Sequence, residues 1–169
     1  MYLHQDNDGH YPVDDNFYLR LEYFNGTWGV FSFICGDVCV RIDTGFVLYD
    51  SLYGLIRIAD NLLNGVPAKV IFGMEPGEAH IEANLLNDGN AQLKFTEKRD
   101  GYNRKKVNDA IIICPLERYA KQVIKMFASF RYEHREDEYM MGLMNQYYPN
   151  SRLDRLRQLL RARKEKTGQ

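Results

Sequence analysis

No stretch of this chain approaches the roughly 18 consecutive apolar residues of a membrane-spanning helix, so no membrane span is predicted. The start, Met1-Tyr2-Leu3-His4-Gln5-Asp6, lacks the basic region and apolar core of a secretory signal, and a cytoplasmic location is expected. Cysteine is scarce, with three in 169 residues. An odd number in a chain of this length is no disulfide framework. Cys35 and Cys39 form a C-x3-C without a second ligand pair downstream, whereas zinc sites usually cluster four ligands; buried or half-buried thiols are expected. Five prolines against 12 Tyr and 9 Phe exclude a collagenous or loop-rich chain and favour strands. There is no G-x-S-x-G, no Walker-type loop and no cysteine with a recognisable catalytic partner. The histidines (His4, His10, His80, His134) sit in unrelated contexts. Neither a reaction nor a cofactor is identified by these residues.

What is present suffices for a core. Hydrophobic residues make up 45% of the chain, which argues against global disorder and fits one domain with a helical appendage. The net charge of −1 conceals an asymmetry. Residues 1–50 carry eight acids against Arg20 and Arg41, whereas residues 151–169 carry seven bases against Asp154 and Glu165. Such polarity steers a charged partner or lets the two ends attract each other.

Along the chain, residues 1–15 read as an acidic lead-in broken by Asn7, Asp8, Gly9 and Pro12. Phe17 to Tyr23 alternates as a strand, Asn25-Gly26 signals a hairpin, and Thr27 to Ile34 returns. Gly36-Asp37 turns into a third strand, Val38 to Asp43. Asp50 or Ser51 is placed to cap a helix over 51–63, whose Leu52, Leu55, Ile56, Ala59, Leu62 and Leu63 recur at helical spacing. Gly54 weakens this helix but allows close packing. Strands follow at 68–74, 78–86, 91–97 and 107–114; then Pro115, suited to a first helical turn, opens a helix over 116–131. Met140, Met141, Leu143 and Met144 form an apolar cluster before Pro149. Ser151-x-x-Asp154 resembles a capping box ahead of Leu153, Leu156, Leu159 and Leu160. The expected fold is α+β: a mostly antiparallel sheet of about six or seven strands with two helices on one face, in a single domain over 16–145, followed by a basic C-terminal helix over 150–169. That helix, marginal alone in water, is expected to dock against its own domain or a second copy, with the acidic residues 1–50 as a landing surface for its arginine face.

Three constellations bear on chemistry. Glu78, His80 and Glu82 share one face of a predicted strand, so they could hold a divalent metal; a solvated face opposite Ala79, Ile81 and Ala83 is the simpler reading. The arginines and lysines of 152–166 could contact nucleic acid, but no aromatic is interleaved to stack bases, and the leucine stripe calls for protein. Glu75-Pro76 after Phe72-Gly73-Met74 is either a functional corner or a structural turn.

A meander, the helix bearing Leu55-Ile56 and Leu62-Leu63, the Phe72-Gly73-Met74-Glu75-Pro76 tract opening a second meander, and a helix ending near Phe127–Arg131 together resemble the small immunity proteins of bacterial polymorphic toxin systems, of the WapI type. The resemblance covers about residues 17–131 and departs at the Gly73-Met74 spacing and at Gly77-Glu78-Ala79, where an apolar residue is the pattern. It implies a non-enzymatic cytoplasmic inhibitor that binds a cognate toxin. The acidic half and its tyrosines are compatible with a partner surface that includes Asp14, Asp15, Glu22, Asp37, Tyr18 and Tyr23. A metal-dependent hydrolase using Glu78, His80 and Glu82, and a nucleic-acid-associated regulator using the basic helix, stand as alternatives. A homodimer through the C-terminal helix is also expected to be accessible.

Overall fold

A computed structural model of the protein describes residues 2–4, 16–25, 27–45, 51–74, 77–98, 109–133 and 148–167. Eight strands form one antiparallel sheet: β1 (Tyr2–His4), β2 (Tyr18–Phe24), β3 (Trp28–Cys35), β4 (Val38–Gly45), β5 (Ala68–Met74), β6 (Gly77–Leu85), β7 (Asn90–Lys98) and β8 (Asp109–Pro115). The helices are α1 (Ser51–Leu63), α2 (Leu116–Glu133) and α3 (Asn150–Thr167). Strands run in sequence order from β2 to β8, with β1 added beside β4. This is the expected α+β meander. The strand Tyr2–His4 is new: it lies inside the stretch read as a lead-in, and pairs with Cys39–Arg41.

The sheet is two meanders in series, and among the described residues β4 pairs with β5 at Gly45↔Gly73. Trp28 lies opposite Gly45 on β3, and a Cβ added at Gly45 would sit 3.1 Å from its ring. Curvature brings the two halves together again: Phe33 meets Phe95 edge-on at 4.9 Å, and Cys35 Sγ donates to the Ile113 carbonyl at 3.6 Å. Alternation fills the concave side with Phe17, Leu19, Phe31, Phe33, Val40, Ile42, Phe72, Ile81, Leu93, Phe95 and Ile112, all buried.

α1 lies along β5. A Cβ at Gly54 would come 2.4 Å from Val70 Cγ1, so glycine there permits the close approach foreseen from the sequence. Ser51, the first helical residue, sets its Oγ 3.3 Å from Thr44 Oγ1 in the core, while Asp50 lies outside the described residues. α2 packs against β2, β7, β8 and α1, and Tyr119 donates its hydroxyl to the Leu55 carbonyl at 3.2 Å. Pro115 ends β8, one position before the helix rather than within its first turn.

α3 forms a third layer on α1 and α2. Leu153, Leu156 and Leu160 are buried, Arg155 Nε donates to Asp60 Oδ1 at 2.9 Å, and Arg152 sits over the Tyr53 ring at 5.8 Å. The leucine stripe is thus covered by its own domain. Among the described residues its landing surface is α1, with Asp60, and α2. The capping box also fails: Ser151 lies inside the helix, Asp154 accepts from Arg157, and the Pro149 carbonyl accepts from the amides of Arg152 and Leu153. The Met140–Met144 cluster and Glu75-Pro76 lie outside the described residues. Among the described residues no helix is long and apolar enough to cross a membrane.

Candidate functional site

β2 begins the sheet, and among the described residues no strand lies beyond it. Such an edge leaves alternate backbone N–H and C=O groups without a ladder partner. Beside it runs α2, tied to β2 at both ends. At the start, Arg118 Nε donates to the Phe17 carbonyl at 3.1 Å while its guanidinium lies over the Tyr18 ring at 5.3 Å, and Phe17 packs on Tyr119 at 5.7 Å. At the far end Phe24 meets Phe130 edge-on at 4.9 Å. Strand and helix therefore run in the same direction and are clamped at each end.

Between the clamps lies a groove of about 640 Å³. Residues 18–23 of β2 form one wall, and Gln122, Lys125, Met126, Ser129 and Phe130 form the other. Those α2 positions follow i, i+3, i+4, i+7, i+8, a single helical face. Met126 and Phe130 are nearly buried and give an apolar floor. Gln122 is only 7% exposed, yet no protein group among the described residues hydrogen-bonds its amide, which lines the groove. Arg20 and Lys125 are exposed and have no carboxylate partner among the described residues.

Of the residues expected to bind a partner, the groove gathers Tyr18, Glu22 and Tyr23. Tyr23 is 51% exposed. Glu22 is not a free acid: it accepts from Ser32 Oγ at 2.5 Å and lies 3.7 Å from Arg41, which also approaches Asp43 at 3.9 Å. Asp37 stands apart, exposed in the β3–β4 turn, and Asp14 and Asp15 lie outside the described residues. The groove's basic and α2 residues were not foreseen.

The second constellation comes apart. His80 Nε2 lies 2.8 Å from Glu78 Oε2, but Glu82 pairs with Lys69 at 2.8 Å, and that ammonium holds its carboxyl below the usual range. The solvated-face reading is corrected at His80 alone, which is buried with no hydrogen-bond partner for its Nδ1, whereas the Glu78 and Glu82 side chains remain in contact with solvent. Among the described residues no three His, Cys, Asp or Glu side chains converge as a metal site would require. None of the three cysteines forms a disulfide. Cys35 faces the core, while Cys39, opposite Ile34, faces the other side of the sheet, so the C-x3-C cannot converge on one ligand. Burial raises the Cys114 thiol far above its ordinary range, and Cys35 adds to the effect. Burial likewise holds the Tyr119 phenol protonated.

Comparison with protein-family models, curated proteins and solved structures found no match.

Proposed function

We propose that this protein is a non-enzymatic binding protein, and specifically an immunity protein that neutralises a cognate bacterial toxin by direct binding in the cytoplasm. The observation that carries the reading is the clamped groove between β2 and α2, where Tyr18, Tyr23 and the Gln122 amide stand together over an apolar floor. Amphipathic aromatics beside a preformed cleft are the composition of interface centres. The immunity assignment adds to this the resemblance in residues 17–131. Charge steering by the acidic half plays a smaller part, because Glu22 and Asp43 both lie beside Arg41.

The test pairs this chain with the toxin domain encoded beside it. A complex stable to gel filtration and loss of the toxin's activity are expected, with Tyr23→Ala weakening both. No complex, or a complex that leaves the toxin fully active, overturns the assignment. Metal analysis addresses the hydrolase reading: a stoichiometric transition metal lost on His80→Ala would favour that enzyme over the binding protein.

A further inference from the structure

We propose that the groove between β2 and α2 takes an extended acidic segment of a protein partner, added as a further strand on the edge of β2. This deepens the reading of β2 and α2 as a partner-binding site, and does not require that the partner be a toxin.

The backbone supplies the first argument. In an antiparallel ladder, directly opposed residues alternate between pairs that exchange hydrogen bonds and pairs that do not. The two-residue Gly36-Asp37 turn makes Cys35↔Val38 a bonded pair, which turns Ile34 and Ser32 toward β2. At the other end the Asn25 amide donates to the Trp28 carbonyl at 3.1 Å, which gives β3 the same phase, and the extra residue that β2 inserts between Leu21 and Tyr23 reconciles the two ends. Tyr18 and Arg20 therefore bond to β3, while the amides and carbonyls of Leu19 and Leu21 point out over the groove. Arg118 already takes the next outward carbonyl, that of Phe17, so the edge faces α2.

The side chains supply the second. An added strand would direct alternate residues to the floor formed by Met126 and Phe130, and the residues between them toward Arg20 on the outer face. The Gln122 amide opens on the groove and offers both a donor and an acceptor to a main chain there. Charge selects the occupant. Arg20 and Lys125 flank the groove without carboxylate partners among the described residues, whereas Glu22 is engaged by Ser32 and Arg41. Acidic side chains alternating with apolar ones complement this groove; basic ones do not. Main-chain bonds give affinity in this mode, and the pockets for alternate side chains give specificity.

The experiment uses the full chain and two labelled, end-blocked peptides, one alternating glutamate with valine and one alternating lysine with valine. Binding of the glutamate peptide, with slowed hydrogen exchange at the amides of Leu19 and Leu21, supports strand addition. Leu21→Pro, which removes one outward N–H, and Ser129→Glu, an exposed change in the α2 wall, should each weaken it by about tenfold or more. Combining Arg20→Glu with Lys125→Glu should transfer preference to the lysine peptide. Binding without protection of Leu19 and Leu21, equal binding of both peptides, or no binding overturns the proposal. Protection of those amides in the free protein also overturns it: at dimer mass the edge belongs to a second copy, and at monomer mass to the chain itself. A toxin complex that forms without protecting Leu19 and Leu21 would leave the binding function standing and remove strand addition alone.

Discussion

α1 and α2 lie side by side on the same sheet, yet one is closed and the other is left partly open. α1 is held between β5 and α3, with eight of its 13 residues buried. α2 buries Tyr119, Val123 and Phe127 in the same core, but its Gln122–Phe130 flank borders a groove. Both helices were equally amphipathic in sequence. What separates them is the flank that α3 leaves uncovered: α3 packs on α1 and on part of α2, but between the two clamps nothing among the described residues fills the space beside α2. Stability should therefore concentrate at α1, and binding at α2.

The largest expected effect comes from removing α3. Each leucine fully buried contributes roughly 1.5–3 kcal/mol, so losing Leu153, Leu156 and Leu160 forfeits on the order of 4–9 kcal/mol as an upper bound. Natural domains have only about 5–15 kcal/mol in total. Truncation after Pro149 should lower the melting temperature sharply or prevent folding; an unchanged melt would mean that α1 is not closed by α3.

Next comes Gly54→Ala. Alanine gains about 1 kcal/mol in helix propensity, but its Cβ would lie 2.4 Å from Val70 Cγ1. Overpacking of this kind costs about 1–3 kcal/mol, so net destabilisation in a denaturant titration is expected, relieved in the background of Val70→Ala. A more stable Gly54→Ala protein would show that α1 stands further from β5.

Tyr119→Phe should cost about 1 kcal/mol for the hydrogen bond to Leu55 that ties the two helices together. It also carries a pH signature. The Tyr119 phenol and the Cys114 thiol titrate higher in the folded protein than their ordinary values of 10.0 and 9.0. They bind protons more tightly when folded, so their contribution is fully present below those ordinary values and is lost as pH rises above them. Stability measured from pH 8 upward should fall beyond about pH 9–10, less steeply in Tyr119→Phe. An equal alkaline slope in both proteins would remove Tyr119 as a cause.

The smallest effects belong to the open helix. Lys125→Ala and Ser129→Ala should change stability by no more than about 0.5 kcal/mol, as exposed positions usually do; on α3, by comparison, Arg155→Ala should cost about 0–1 kcal/mol, since its pair with Asp60 of α1 is half exposed. A large loss of stability at Lys125 or Ser129 would turn the groove wall into part of the core and erase the distinction between the two helices.

Much of the fold was legible because periodicity is local. The stripe Leu52 to Leu63 and the alternation of Ala91 to Glu97 each betray their element from neighbours a few residues away. Gly36-Asp37 and Asn25 marked turns through backbone chemistry alone. Errors arose where a contact spans the chain. Residues Tyr2–His4 became a strand because β4 offered an edge, and His80 is buried despite standing on the polar face of its strand. The candidate site was half legible: Tyr18, Glu22 and Tyr23 were singled out as exposed strand residues, but Glu22 was read as a free charge because Ser32 and Arg41 reach it from other strands. Gln122, Lys125 and Ser129 are separated from β2 by about a hundred residues, and no local pattern announces that they face it.

By itself the sequence determined the order of strands and helices, the antiparallel meanders, and the need of Leu153, Leu156 and Leu160 for cover, since all of these follow from side-chain spacing along the backbone. Only the tertiary structure decided that α1 supplies that cover, that Glu82 leaves His80 for Lys69, and that β2 ends the sheet beside α2 with Leu19 and Leu21 facing a groove. The reason is physical: an edge, a clamp and a groove are relations between segments distant in the chain, and they acquire definite geometry only when burial of the shared core brings those segments together.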